Sequence, residues 1–327
     1  MIWAILASVA VLVILDLFVQ WPYVKTVLPM FELAPPFDVQ TYTPVPEATE
    51  IEFRTTNGLT LRGSLYAHAD RSPRGLIVFG HEFLGSHWST LSYCRGLWEA
   101  GFDILAFDFR NQGTSDSLEA YRPLHWVTQY EVEDFLSAVS FARSREEYRD
   151  VPVGAYGISK GGAAALLATA RNPEIRCVVS DSTVPTNGMM RHFAERWAPL
   201  CVDERLLRLV PQWHIGLTLA LVQKVSEWKR RCRYTSFNRW LPELAGRRAL
   251  LISGKCDTYV PAKLTNEMAD RIGSMADVWI VPKAKHNRAR QKAPEEYDAR
   301  LVEFFCQMTD DDVRVSTVPE LGTVGEE

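Results

Sequence analysis

The chain has 327 residues, 47% hydrophobic and 23% charged, with a formal net charge of −4 and a pI near 6.0. This length is enough to bury one substantial core, and the acidic balance without a recognisable motif argues against nucleic-acid binding. Six scattered cysteines form no C-x-x-C pair and no metal-ligand spacing with histidine, so we expect neither a metal site nor a cofactor.

The amino terminus is strongly apolar. Residues 2–19 carry one charge, Asp16, and at about 1.5 Å per residue they reach across a hydrocarbon core of roughly 30 Å. A cleavable signal peptide is disfavoured because no Lys or Arg precedes Lys25 and no small-x-small cleavage site follows. A buried core helix is the other alternative. The pattern favours a single-pass transmembrane anchor at residues 1–24, and Lys25 favours a cytoplasmic location for the rest of the chain.

A proline-rich connector is predicted at residues 25–50. Residues 51–66 then alternate apolar and polar positions around Asn57-Gly58, which is typical of a β-hairpin. Strand-like and helix-like segments alternate from there to about residue 180. This alternation predicts an α/β fold with a mainly parallel sheet flanked by helices.

Two strand-to-loop junctions carry polar residues. The strand at residues 75–79 runs into a loop that begins His81-Glu82-Phe83, and the strand at residues 103–107 runs into a D-x-R-x-x-G-x-S turn that contains Asp108 and Arg110. We expect His81 to hold its own loop by hydrogen bonding rather than to act as a base. Asp108 and Arg110 are expected to stabilise the turn and its packing.

The most informative motif is G-x-S-x-G at residues 157–161. An apolar run precedes it and a helix rich in small residues follows it. In a strand–turn–helix context this motif forces Ser159 into a strained backbone at the top of a sheet and exposes its hydroxyl. The arrangement predicts a nucleophilic serine.

A serine hydroxyl needs a base to remove its proton and a third group to orient that base. Asp257 and His286 each follow a predicted strand downstream, so both should emerge at the sheet edge that carries Ser159. Two alternatives remain open for the acid. Asp257 could instead cap the helix that starts near Pro261, and Asp181, after the strand at 175–180, could be the acid.

The order Ser159, Asp257, His286 resembles the α/β-hydrolase superfamily, and the resemblance extends over roughly residues 51–306. It implies an oxyanion hole made by the backbone amides of Lys160 and Phe83. One departure is Glu82, because many relatives have His-Gly at the place of His81-Glu82. The hydrolase core is assigned to residues 51–185 and 247–307.

The alternation stops between residues 186 and 246, where we predict a helical cap insertion over a nonpolar substrate pocket. Residues 224–234 combine Trp228 with five cations, and they could lie on an anionic leaflet or form a solvated helix face. The chain turns acidic after Met308, which predicts a disordered tail at residues 308–327.

These features predict a membrane-anchored serine hydrolase, similar to esterases and lipases, that cleaves a carboxylic ester, with a lipophilic ester or acylglycerol as substrate. An acyltransferase or a thioesterase would use the same residues. A non-catalytic binding or scaffold protein on the same fold is a third alternative.

Overall fold

The computed structural model describes residues 2–34, 42–201, 205 and 210–316. Its strands are β1 Thr49–Arg54, β2 Thr60–Tyr66, β3 Leu76–Gly80, β4 Asp103–Phe107, β5 Val153–Ile158, β6 Ile175–Asp181, β7 Arg248–Gly254 and β8 Ala276–Val281. They form one eight-stranded sheet in the order β1-β2-β4-β3-β5-β6-β7-β8. The pairs β1–β2 and β2–β4 are antiparallel, and all other neighbours are parallel. The predicted hairpin and the mainly parallel sheet are confirmed.

Helices cover both faces of this sheet. Their bounds are α1 Ile2–Glu32, α2 Thr90–Glu99, α3 Gln129–Ser144, α4 Lys160–Arg171, α5 Thr186–Cys201, α6 Gln212–Arg230, α7 Phe237–Trp240, α8 Ala262–Ile272, α9 Ala289–Lys292 and α10 Pro294–Ser316. α2 and α10 pack on one face of the sheet, and α3, α4 and α8 pack on the other. The strands β3 to β5 are buried along their whole length, which is why they read as continuous apolar runs.

A third apolar cluster lies between α1, α5 and α6, above the sheet edge. Phe31 of α1 stacks on Trp126 with ring centroids 5.0 Å apart, and the Trp126 indole donates to the Phe31 carbonyl at 2.8 Å. Glu32 accepts hydrogen bonds from Ser226 and Arg230 of α6, both at 2.9 Å. α1 is therefore packed against α6 at its carboxyl end.

The predicted transmembrane anchor at residues 1–24 is not supported. Over the residues that the structure describes, no helix is both long enough and apolar enough to cross a membrane. The helix that begins at Ile2 continues past residue 24, and its polar groups face α6. Asp16 lies 3.6 Å from the ring of His214, and Gln20 is hydrogen-bonded to the same ring at 2.9 Å. These two polar side chains of α1 therefore contact another helix of the same chain.

The boundaries of the other predicted segments differ from those in the structure. The connector predicted from residue 25 begins with helical residues up to Glu32, and residues 35–41 lie outside the described part. α10 continues through Ser316, beyond the predicted start of the tail at 308, and residues 317–327 are not described. In the basic stretch 224–234, Lys229 and Arg230 pair with Glu32 at 2.6 and 2.9 Å. Within the predicted cap, residues 202–204 and 206–209 lie outside the described part.

Candidate active site

Ser159 occupies the sharp turn between β5 and α4. Its backbone has φ 52° and ψ −112°, a strained conformation for a non-glycine residue. A Cβ added to Gly157 would lie 2.4 Å from the carbonyl carbon of Gly161, and one added to Gly161 would lie 2.1 Å from the carbonyl oxygen of Gly80. Both glycines are therefore required by close packing of the turn against itself and against β3.

Ser159 and His286 are brought together by this turn and by the loop after β8. The Ser159 hydroxyl lies 3.2 Å from Nε2 of His286, although 127 residues separate them in the chain. The Ser159 amide also donates to the Asp181 carbonyl at 2.7 Å, which fixes the turn to the end of β6. Serine and imidazole are thus within hydrogen-bonding distance.

Asp257 is on the far side of the imidazole. Its Oδ2 accepts from Nδ1 of His286 at 2.8 Å, and its Oδ1 accepts from the amides of Tyr259 and Val260, both at 2.8 Å. Pro261 immediately precedes α8 and provides no side-chain cap. Asp257 therefore orders its own loop and contacts the histidine, and it does not cap the helix.

Asp181, the alternative acid, lies close by and has different partners. Its Oδ1 accepts from the Ser182 hydroxyl at 2.8 Å and its Oδ2 from the Tyr297 hydroxyl at 2.7 Å. Burial raises the pKa of Asp181 to about 6, and these two hydrogen bonds oppose that rise. Of the two carboxylates, Asp257 is the one hydrogen-bonded to His286.

His81 is buried in its own loop, as predicted. Its Nδ1 is hydrogen-bonded to the Glu82 carbonyl at 2.7 Å, and burial lowers its pKa. Burial also raises the pKa of the Glu82 carboxyl. Asp108 accepts from the amides of His87 and Thr114 at 2.7 and 2.8 Å, so it organises two loops.

Arg110 is an equally buried turn residue. Its Nε and Nη2 both donate to Oδ1 of Asp134 in α3, at 2.8 and 2.6 Å. The predicted packing role of Asp108 and Arg110 is confirmed by these contacts.

The loop that carries Phe83 lies against the start of α4. β3 ends at Gly80, which packs on Gly161, and the Phe83 ring lies 5.3 Å from the ammonium of Lys160. The two residues whose amides were expected to form an oxyanion hole are therefore neighbours. Their role stays a prediction.

The sequence gives no signal that the Lys160 side chain is buried and paired. The ammonium is fully buried and lies 2.7 Å from Glu131 of α3 and 2.7 Å from the Leu124 carbonyl. Glu131 also accepts from the Tyr121 hydroxyl at 2.6 Å and the Thr128 amide at 2.8 Å. Burial alone would raise the pKa of Glu131, but the ammonium and these donors hold it below its usual value.

An aromatic ring packs against the imidazole of His286, and further rings lie next to it. Tyr259 meets His286 edge to face at 5.2 Å, and Phe193 of α5 lies 6.2 Å from Tyr259. His125 lies 5.9 Å from Tyr259 and 6.4 Å from Phe83. Burial lowers the pKa of His125 to about 3, so its ring is neutral at physiological pH. These rings form an aromatic cluster beside the imidazole.

No group of three or more His, Cys, Asp or Glu side chains suited to a metal ion occurs among the described residues. The arrangement around Ser159 uses a hydroxyl, an imidazole and a carboxylate. Such a set can carry out nucleophilic attack and proton transfer without further groups.

The comparisons with known proteins agree with this architecture. The family model described as alpha/beta hydrolase fold matches residues 75–206. An esterase from Pyrococcus furiosus superposes with a TM-score of 0.61 at 23% identity, covering 84% of this chain and 97% of that one. Est1E from Butyrivibrio proteoclasticus, solved with ferulic acid bound, superposes with a TM-score of 0.56 at 16% identity, covering 78% and 99%. The chain has the α/β-hydrolase fold.

Curated proteins similar to this α/β-hydrolase-fold chain are matched over a shorter region. Thiohydrolase aneE of Aspergillus aculeatus is 30% identical over 134 residues, 40% of each chain. Acyltransferase drtE of Aspergillus calidoustus is 28% identical over 137 residues, 42% of this chain and 43% of the relative. The chain thus spans about two fifths of the length of these relatives.

Proposed function

We propose that this protein is a serine hydrolase that cleaves carboxylic esters with a lipophilic acyl group through an acyl-enzyme. The observation that carries the proposal is the continuous hydrogen-bonded chain from the Ser159 hydroxyl through His286 to Asp257, with distances of 3.2 and 2.8 Å. The strained backbone of Ser159 is consistent with a nucleophile held in place by its surroundings.

The proposed reaction begins with proton transfer. With Nδ1–H of His286 donated to Asp257, the lone pair of Nε2 faces Ser159 and takes the hydroxyl proton as the oxygen attacks the substrate carbonyl carbon. The carbonyl oxygen becomes an oxyanion, which the backbone amides of Lys160 and Phe83 would stabilise. When the intermediate collapses, the leaving alcohol receives the proton from Nε2, and the acyl group stays on Ser159.

The second half of the reaction repeats these roles with water. His286 removes a proton from the water molecule that attacks the acyl carbon, and the proton returns to the Ser159 oxygen as the acid is released. Asp257 stabilises the imidazolium that forms in both halves. The aromatic rings near His286, from Tyr259, Phe193 and His125, support a preference for apolar acyl groups.

A second candidate function is acyl transfer or thioester cleavage with the same residues. It is favoured by the names of two relatives, a thiohydrolase and an acyltransferase. The two candidates differ in the leaving group and in the acceptor of the acyl group. Product analysis of ester and thioester substrates, with and without an added alcohol, distinguishes them, because a transferase forms a new ester where a hydrolase forms only the acid.

The decisive test of the nucleophile is labelling by a fluorophosphonate probe. We expect the wild-type protein to be labelled and Ser159→Ala to remain unlabelled, since the probe reacts only with an activated hydroxyl. Ser137→Ala is the matched control, because Ser137 is a buried serine of α3 that donates to the Glu133 carbonyl. It should be labelled like the wild type. Equal labelling of Ser159→Ala would overturn the assignment.

A further inference from the structure

A second buried carboxyl lies behind the proposed catalytic residues. Asp181 is the last residue of β6 and is 1% exposed, and its carbonyl holds the Ser159 amide at 2.7 Å. Its Oδ2 accepts from Tyr297 of α10, whose hydroxyl is also hydrogen-bonded to the Tyr156 hydroxyl at 2.6 Å. The backbone of Asp181 thus contacts the serine turn, while its side chain is hydrogen-bonded to other residues.

The side chain of Asp181 leads to the loop of His286. Its Oδ1 accepts from the Ser182 hydroxyl at 2.8 Å, and the same hydroxyl oxygen accepts from the Asn287 amide at 3.2 Å. Because the Ser182 hydroxyl proton is directed at the carboxylate, the lone pairs of the hydroxyl oxygen point away from it and can accept a hydrogen bond from the Asn287 amide. Asn287 is the residue directly after His286.

Both residues at this junction have unusual backbones. Ser182 has φ 54° and Asn287 has φ 55°, in the left-handed region that L residues seldom occupy. The Ser182 amide donates to the Ile252 carbonyl of β7 at 2.9 Å, which anchors it to the sheet. Strained residues persist where the surrounding structure determines them, and they concentrate at functional sites.

We propose that Asp181 is a positioning residue that acts through the Ser182 hydroxyl on the Asn287 amide, and so fixes the imidazole of His286 opposite Ser159. This inference rests on the proposed function. Asp257 orients the ring from its Nδ1 side, whereas Asp181 and Ser182 hold the backbone from which the ring projects. The imidazole is thereby constrained at two places.

Asp181 also contributes a charge. The titratable groups facing His286 are Asp257, Asp181, Glu82, His125 and Tyr259, and Arg288 faces Glu82. Asp181 itself is faced by Tyr297, Tyr156, Tyr93, His286 and Asp257. Since the pKa of Asp181 is raised by burial to about 6, it is ionised at neutral pH. Its negative charge then attracts the positive charge that His286 gains during the proposed proton transfer.

The experiment compares Asp181→Asn and Ser182→Ala with the control Asp277→Asn, which removes an exposed carboxylate from β8. We expect kcat on a water-soluble ester to fall by about ten- to a hundredfold in the first two variants, with KM changed by less than about threefold, because positioning acts on the transition state. The control should leave both constants unchanged.

The pH profile separates positioning from general damage. Removing the charge of Asp181 destabilises the imidazolium, so the base stays neutral and active to lower pH. The acid-side midpoint of the kcat/KM profile should therefore move to lower pH in Asp181→Asn, and by a smaller amount in Ser182→Ala, which removes one donor to the Asp181 carboxylate. Tyr297→Phe, which removes one donor and keeps Asp181 protonated to higher pH, should give a smaller shift in the same direction.

Tyr297→Phe and Ser182→Ala decide the question if Asp181→Asn does not fold. Wild-type kcat in Ser182→Ala would overturn the positioning role, and an unmoved midpoint in Asp181→Asn would overturn the contribution of its charge. This failure is distinguishable from failure of the proposed function, in which the wild-type protein itself would show no fluorophosphonate labelling and no turnover that depends on Ser159.

Discussion

The carboxyl edge of the sheet and the predicted cap, residues 186–246, are organised in different ways. At the sheet edge, Ser159 directly follows β5, and Asp257 and His286 lie in the loops after β7 and β8. In the cap, α1 is held on α6 by pairs such as Gln20 with His214, which are 194 residues apart. Local motifs at strand ends mark the residues of the first region, whereas the second region has no such motif and is formed by packing between distant segments.

This difference decides what a sequence can reveal. The turn at residues 157–161 accepts few other sequences or conformations. Gly157 and Gly161 are in contact with neighbouring backbone, and Ser159 has a positive φ. A long apolar helix such as α1 can be buried, lie on a surface or span a bilayer with the same residues. Its environment depends on the distant segments that pack against it, and the local sequence pattern does not identify them.

The largest expected effect lies at the sheet edge. His286→Ala removes the proposed base, so turnover of an ester substrate should fall by about three orders of magnitude or more, as in other serine triads. Stability should change less than turnover, because the ring is held mainly by hydrogen bonds to Ser159 and Asp257 and belongs to none of the three apolar clusters. Steady-state kinetics and thermal unfolding of the same samples measure both effects.

His214→Ala is the matched control in the cap. His214 is hydrogen-bonded to Gln20 of α1, and it lies in α6 rather than at the sheet edge. Activity within about threefold of the wild type is expected, since no proton transfer is lost. If the two histidine variants lost turnover equally, the distinction between the sheet edge and the cap would be wrong.

Much of the fold and the order of the candidate residues followed from local signals. The strand-to-helix alternation predicted the parallel sheet, Asn57-Gly58 predicted the hairpin, and the strand ends brought Ser159 and His286 to one edge. These signals are periodicity and turn chemistry, which depend on neighbouring residues. They could be predicted because parallel strands share a common carboxyl edge.

The buried polar contacts could not be predicted in the same way. The pairing of Lys160 with Glu131 joins the start of α4 to α3, and the bond from Ser182 to Asn287 spans 105 residues. A charged residue in a turn gives no local sign that it will be buried. The sequence also left Asp181 and Asp257 as alternative acids, because both follow strands. Only the three-dimensional structure shows that they have different hydrogen-bond partners.

A smaller effect is expected for Glu131→Gln, which tests whether this non-local pair supports the sheet edge. The Lys160 ammonium would remain fully buried without its counter-charge. Removing one partner of a buried ion pair costs about 3–5 kcal/mol, so the free energy of unfolding at pH 7 should fall by that order. Chemical denaturation followed by tryptophan fluorescence measures it.

The double variant Lys160→Met with Glu131→Gln provides the control, because it removes both charges. A loss well below the sum of the two single variants would indicate coupling between the residues. Purely additive losses would contradict a direct pair and would leave the sheet edge dependent on its local turn alone.

The smallest effect is expected between α1 and the cap. Partial burial would raise the pKa of Glu32, but hydrogen bonds from Arg230, Lys229 and Ser226 bring it from 4.5 to about 2. Because the pKa is lowered by folding, the stabilisation is present above pH 4.5 and is lost as pH falls towards 2. Lys229 is largely exposed, so solvent screening limits the contribution of this cluster to about 1 kcal/mol or less at neutral pH.

Glu32→Gln should therefore reduce the free energy of unfolding by that small amount at pH 7 and by less in high salt, whereas Glu195→Gln, an exposed carboxylate of α5, should have no effect. Urea unfolding at pH 7 and pH 3 measures the difference between Glu32→Gln and the wild type, which should shrink at the lower pH because Glu32 of the unfolded chain is then mostly protonated. A loss as large as that of Glu131→Gln would mean that α1 is as tightly integrated as the sheet edge. The helix that the sequence set apart from the core would then be a structural part of it.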